Sequence, residues 1–152
     1  MTTANTLATL GNGPAFSASL SSNQSVTAAT WTKVQCNTKQ FDTNSNYDNA
    51  TNYRFTPTVA GYYQISGGIG FNYSGAASTG GIGISIYKNG SSFASASTTN
   101  SLAYGNMQSS KLIYLNGSSD YVELYGFNAN GTPTFTGDTS LTWFTGALVR
   151  GA

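Results

Sequence analysis

Histidine is absent from this chain of 152 residues. With it go the Ser-His-Asp and Cys-His routes to nucleophilic catalysis and the commonest zinc ligand. Charge is scarce too: 7% of residues are charged and the formal net charge is +1. The basic residues Lys33, Lys39, Arg54, Lys88, Lys111 and Arg150 stand singly. Duplex binding rests on clustered cations that displace counterions, so nucleic acid is not an expected partner. Cys36 is the sole cysteine. It has no intramolecular disulfide partner, and its place in the alternating stretch WTKVQC reads as a small buried hydrophobe rather than a nucleophile. No apolar run approaches the roughly 18 residues of a membrane span, so membrane insertion is not expected. The opening MTTANTLATLGNGP has neither a basic n-region nor a continuous apolar h-region, so it does not read as a secretory signal.

What the chain does have is aromatic and β-branched residues in quantity, with 39% of residues hydrophobic and 13% aromatic. That excludes disorder and leaves a surface made polar by Ser, Thr, Asn and Gly rather than by charge. Residues 1–13, ending in Gly11-Asn12-Gly13, read as a flexible lead-in or connector, and residues 14–152 as one domain. Within that domain the period is two almost throughout. Runs at AFSASL, WTKVQC and KQFDT, then at 52–56, 61–71, 81–88, 92–98, 107–115, 120–127 and 140–149, predict short strands. Asn89-Gly90 predicts a type I′ hairpin because both residues accept positive φ, and Asn116-Gly117 reads the same way. No stretch has helical periodicity. About ten short strands without helices predict an all-β fold of two antiparallel sheets, a sandwich or barrel.

The stretch NYRFTPTVAGYYQISGGIGF shows the pattern most clearly. Pro57 fits a strand end, and Gly61 reads as a turn residue holding a conformation that a side chain would forbid. Beyond it Tyr63, Ile65, Gly67, Ile69 and Phe71 share one face, expected to be core. Tyr62, Gln64, Ser66, Gly68 and Gly70 share the other.

These residues also resemble the globular C1q domain. Phe55, Gly61 and Tyr63 match its signature of Phe, five residues and Gly-x-Tyr-x-aromatic, with Ile65 standing where the family usually has an aromatic. The likeness continues through PAFSASL (Pro14 to Leu20), FDT (Phe41 to Thr43), Leu115 with Asp120 and Val122, and the closing Phe144, Gly146 and Leu148. It implies a C1q/TNF-like jelly roll assembled as a homotrimer. The alternation agrees, because Leu112 and Tyr114 oppose Ile113 and Leu115, while Trp143, Ala147 and Val149 oppose Phe144 and Leu148. Apolar residues on both faces of a strand call for cover on both. Tyr62, Leu112, Tyr114, Trp143, Ala147 and Val149 are therefore the candidate trimer contact, the alternative being that some of them pack beneath loops.

For chemistry the acids are Asp42, Asp48, Asp120, Glu123 and Asp138. Asp120 and Glu123 are three apart on an expected strand and so point to opposite faces, which does not make a glycosidase pair. No enzyme is expected. No cofactor is expected either; calcium at Asp42, Asp48 or Asp138 is conceivable by family likeness, but no ligand spacing here is that of a calcium loop. Tyr47, Tyr53, Tyr73 and Tyr104 lie among Asn, Ser and Gly, a mixture suited to recognition, and are the candidate ligand-binding loop residues; capping of the sandwich ends is the alternative. The resembling family includes secreted animal recognition proteins, spore-surface proteins and bacteriophage fibre or decoration proteins. The expectation drawn from it is a trimeric virion module that binds a host-surface glycan or protein. A purely structural fibre cap and an extracellular C1q-like recognition protein are the alternatives.

Overall fold

The computed structural model describes residues 12–75, 80–99 and 104–152, without the side chain of Tyr104. Residues 1–11 of the predicted lead-in lie outside the described residues. Among the described residues thirteen strands follow in order: β1 (Ala15–Ser19), β2 (Gln24–Ser25), β3 (Thr32–Lys33), β4 (Thr38–Asp42), β5 (Tyr47–Asp48), β6 (Arg54–Phe55), β7 (Ala60–Ser74), β8 (Gly81–Lys88), β9 (Ser91–Thr99), β10 (Tyr104–Asn116), β11 (Val122–Asn128), β12 (Thr132–Phe135) and β13 (Trp143–Gly151). The count exceeds the expected ten because four of these are two-residue pieces, β2, β3, β5 and β6. WTKVQC is the clearest case: only Thr32–Lys33 pairs, with Tyr125 and Gly126.

The strands form two antiparallel sheets and, among the described residues, no helix. In the seven-stranded sheet β7 is the spine. β10 pairs along one of its edges, while β13 and then β12 share the other. The sheet continues through β1 to β4, and β2 pairs with β12. The six-stranded sheet runs β5-β6-β11-β8-β9, with β3 also on β11.

The core lies between the sheets and follows the alternation. Tyr63, Ile65, Ile69 and Phe71 of β7, Ile82, Ile84 and Ile86 of β8, and Val122 and Leu124 of β11 are all buried. Phe16 is the hub: its ring stacks on Tyr47 at 4.8 Å and Phe55 at 4.4 Å, and meets Phe144 edge-on at 5.1 Å. Such ring pairs add specific geometry to a large burial of apolar area. Cys36 is fully buried, as expected, and burial pushes its thiol up to about 12, so it is no nucleophile at neutral pH.

Two local expectations need correction. Gly61 does not hold a positive φ. It lies inside β7, where a Cβ would sit 2.5 Å from the carbonyl oxygen of Arg150, so it is glycine because β13 approaches closely. Asn89 and Gly90 do form the predicted turn, at φ 51° and 77°, but Asn116-Gly117 is not a hairpin. There β10 of one sheet ends and the chain crosses to β11 of the other. The Asn116 side-chain oxygen accepts from the backbone N–H groups of Ser118, Ser119 and Asp120 to hold that crossing.

Candidate recognition surfaces

Two sheet faces point away from the core, and they differ in chemistry. On the seven-stranded sheet, the register sets Tyr114 beside Tyr62, Leu112 beside Gln64 and Ala147, and Gln108 beside Gly68 and Trp143. All the predicted contact residues, Tyr62, Leu112, Tyr114, Trp143, Ala147 and Val149, therefore lie on this one face. Tyr62 and Tyr114 are each 43% exposed, Leu112 52% and Val149 51%. The rings of Tyr62 and Tyr114 lie 5.5 Å apart. An open depression of about 600 Å³ beside them is lined by Leu112, Val149 and Arg150. A polar band crosses the middle of the face, where Gln64 donates to Ser110 at 2.6 Å and the Ser66 and Ser110 hydroxyls bond at 2.7 Å.

The outward face of the six-stranded sheet carries rings and hydroxyls instead. Its rows read Lys33, Tyr125, Ser85, Ser95 and Arg54, Glu123, Tyr87, Ser92, with Phe127, Gly83 and Ser97 next in register. Tyr87 and Tyr125 stack at 3.9 Å. Trp31 packs against Phe127 at 5.5 Å. Lys33 pairs with buried Glu123 at 2.5 Å, and Arg54 lies 4.4 Å from the Tyr121 ring centroid. Sequence reasoning did not single out this face. The signal lies in YVELYGF, whose alternation sets Tyr121, Glu123, Tyr125 and Phe127 on one side of a strand, whereas the ligand expectation falls on tyrosines among polar loop residues.

Those loop expectations fare unevenly. Tyr47 is corrected: it is 3% exposed, and its hydroxyl donates to the Cys36 carbonyl at 3.1 Å. Burial raises its pKa far above the ordinary tyrosine value, with Cys36 and Asp48 adding to the effect. Its polar sequence neighbours hid a ring that packs under Phe16. Tyr73 is no loop residue either; it sits in β7 opposite Pro133. Tyr104 opens β10 opposite Asn72, so its backbone shares that end of the sheet with Tyr73, while its side chain lies outside the described residues. Tyr53 is half-buried, at φ 49°, just before β6. Tyr47 and Tyr53 thus belong in and beside the six-stranded sheet, and Tyr73 to the seven-stranded one.

The carboxylates serve the fold. Asp42 accepts from the N–H groups of Asn46 and Tyr47 and from Lys39. Asp48 accepts from Thr51, Ala50 and Asn52, and those N–H groups hold its pKa well below the usual carboxylate range. Asp120 is lowered by the Asn89 side chain and by Lys88, 3.0 Å away. Asp138 is lowered by Ser140, whose N–H and hydroxyl it accepts. Among the described residues no three Asp, Glu, Cys or His side chains gather as a metal site.

No family model matches the chain, and no curated protein matches it. Solved structures do. Crystal structures of murine APRIL at pH 8.0, pH 8.5 and pH 5.0 superpose with TM-scores of 0.68, 0.66 and 0.64 at 11%, 10% and 13% identity. Each match covers 90% of this chain and 99% of the other. The fold is an all-β, antiparallel two-sheet jelly roll of the C1q/TNF type.

Proposed function

We propose that the chain is a non-enzymatic homotrimeric recognition module. Tyr62, Leu112, Tyr114 and Val149 carry the reading. Large hydrophobic side chains, 43 to 52% exposed, sit together on three neighbouring strands of one sheet face. A patch of this kind marks an interaction site, and a second and third copy of the chain, packed around a threefold axis, would cover it. The C1q/TNF-type jelly roll supports that assembly. The composition, low in charge and rich in Ser, Thr, Asn, Gly and Tyr, supports a place on a virion, as a fibre or tail tip or a capsid decoration, that binds a host-surface glycan or protein. Each of the five carboxylates is engaged as an internal acceptor or ion-pair partner. The reading needs no catalytic residue and no cofactor.

Light scattering on the purified protein tests the assembly: the mass of three chains is expected, and the mass of one chain overturns the proposal. Peptides of the chain in purified particles, and binding of the trimer to host envelopes, test the remainder. A trimer that binds no envelope is a structural cap rather than a receptor-binding tip.

A further inference from the structure

We propose that the outward face of the six-stranded sheet is a binding platform for a neutral glycan. The inference rests on the recognition reading and gives that reading its ligand class and its place. Trp31 and Phe127 pack together at one end of the face, and Tyr87 and Tyr125 stack beside them. The Trp31 indole crosses over Gly83, where a Cβ would lie 2.9 Å from its ring, and it remains 38% exposed. Next to the rings three serine hydroxyls close a triangle: Ser85 to Ser92 at 2.9 Å, Ser92 to Ser95 at 2.7 Å, and Ser95 to Ser85 at 2.8 Å. A hydroxyl has one proton and two lone pairs. A closed triangle uses each proton once and leaves an acceptor lone pair on each oxygen; Ser85 is fully buried, so the lone pairs open to a ligand are those of the exposed Ser92 and Ser95.

The occupant follows from what this face has and what the other has. The face on the seven-stranded sheet exposes the aliphatic side chains of Leu112 and Val149, the surface that a protein partner desolvates. The register of the second face places no aliphatic side chain among its outward residues, only rings, hydroxyls and charges. A pyranose offers the complement, an apolar C–H face for the rings and a rim of hydroxyls to donate to the serine lone pairs. Charge narrows the class further. Lys33 is paired with Glu123, and Arg54 stands opposite Asp48 in register, so the face has no net charge to attract an acidic polymer. Three platforms on one trimer would raise a weak single-site affinity by avidity.

The chain has two tryptophans, one on each face, and this permits a test on the unaltered protein. Neutral hexasaccharides of glucose, mannose, galactose and N-acetylglucosamine are titrated while the two indole N–H resonances are followed by NMR, with Trp31→Phe assigning the signals. At least one sugar should shift the Trp31 signal and leave that of Trp143 in place. Trp31→Ala and Ser95→Ala should weaken that sugar by about tenfold or more at unchanged mass and melting temperature. The proposal is overturned if no sugar moves the Trp31 signal, if only a hyaluronate hexasaccharide does, or if both folded variants bind as the parent does. A trimer that holds host envelopes without moving Trp31 sinks this inference and leaves the recognition reading standing. A single-chain mass sinks the assembly whatever the sugars do.

Discussion

The two outward faces of the sandwich are built by the same period-two alternation on one shared core, yet they end in different states. On the six-stranded sheet, outward side chains satisfy each other: Tyr125 stacks on Tyr87, Lys33 neutralises Glu123, and Ser85 is fully buried beneath its neighbours although it points away from the core. On the seven-stranded sheet, Leu112 and Val149 have no such cover and stay half exposed. Aliphatic side chains gain only by losing water contact, at about 25 cal/mol per Å². Rings and hydroxyls also gain from oriented contacts with each other and with a ligand. One face therefore calls for another protein surface, and the other is closed against its own chain but open to a small polar partner.

The largest expected effect removes what the faces share. Phe16→Ala empties the hub against Tyr47, Phe55 and Phe144, and should cost about 3–5 kcal/mol in chemical denaturation, losing assembly and sugar binding together. Next, Leu112→Asp separates the faces. A charge buried at the proposed contact is disfavoured by about 3 kcal/mol, so light scattering should read a single chain while the Trp31 signal still responds to sugar. If the variant stays trimeric, Leu112 is not at the contact. In the opposite sense, Lys33→Met leaves the buried Glu123 without its partner. It should lower stability by about 2 kcal/mol and leave the mass unchanged.

The smallest effect is a pH dependence at the edge of the second face. Asp48 has its folded pKa depressed below the ordinary 3.8, chiefly by the Thr51 and Ala50 N–H groups. A depressed carboxylate contributes stability that is present above its unfolded pKa and lost as pH falls through the folded one. Unfolding should therefore become easier below about pH 4. Asp48→Asn should flatten that decline, and a melting temperature that falls equally steeply in both proteins would rule Asp48 out as a cause.

How far each feature was legible depends on whether its cause is local. Alternation in YYQISGGIGF separated Tyr63 from Tyr62 correctly, because a strand with one face in a core fixes both faces at once. The Asn-Gly pairs show where locality ends. Asn89-Gly90 joins β8 to β9, which are partners, whereas Asn116-Gly117 joins strands of different sheets. Only the partner of each strand tells the two apart. Tyr47 was misread for the same reason: its neighbours are polar, but a two-residue strand turns its ring toward Phe16, which is distant in sequence. The ring-and-hydroxyl face went unrecognised because Trp31, Ser95 and Tyr125 belong to segments that meet only in the sheet.

By itself, then, the sequence determined the strand period, the opposed faces of β7, β10 and β13, the absence of histidine-based chemistry and the candidate residues of the apolar patch. These follow from side-chain alternation and from composition, which need no knowledge of pairing. The tertiary structure alone decided which strands are neighbours. It thereby decided that Gly61 answers to the Arg150 carbonyl, that Tyr47 is core, and that aromatic and serine side chains from three strands and a loop share one surface. Contacts between segments far apart in the chain depend on register between strands, and no window of sequence contains that register.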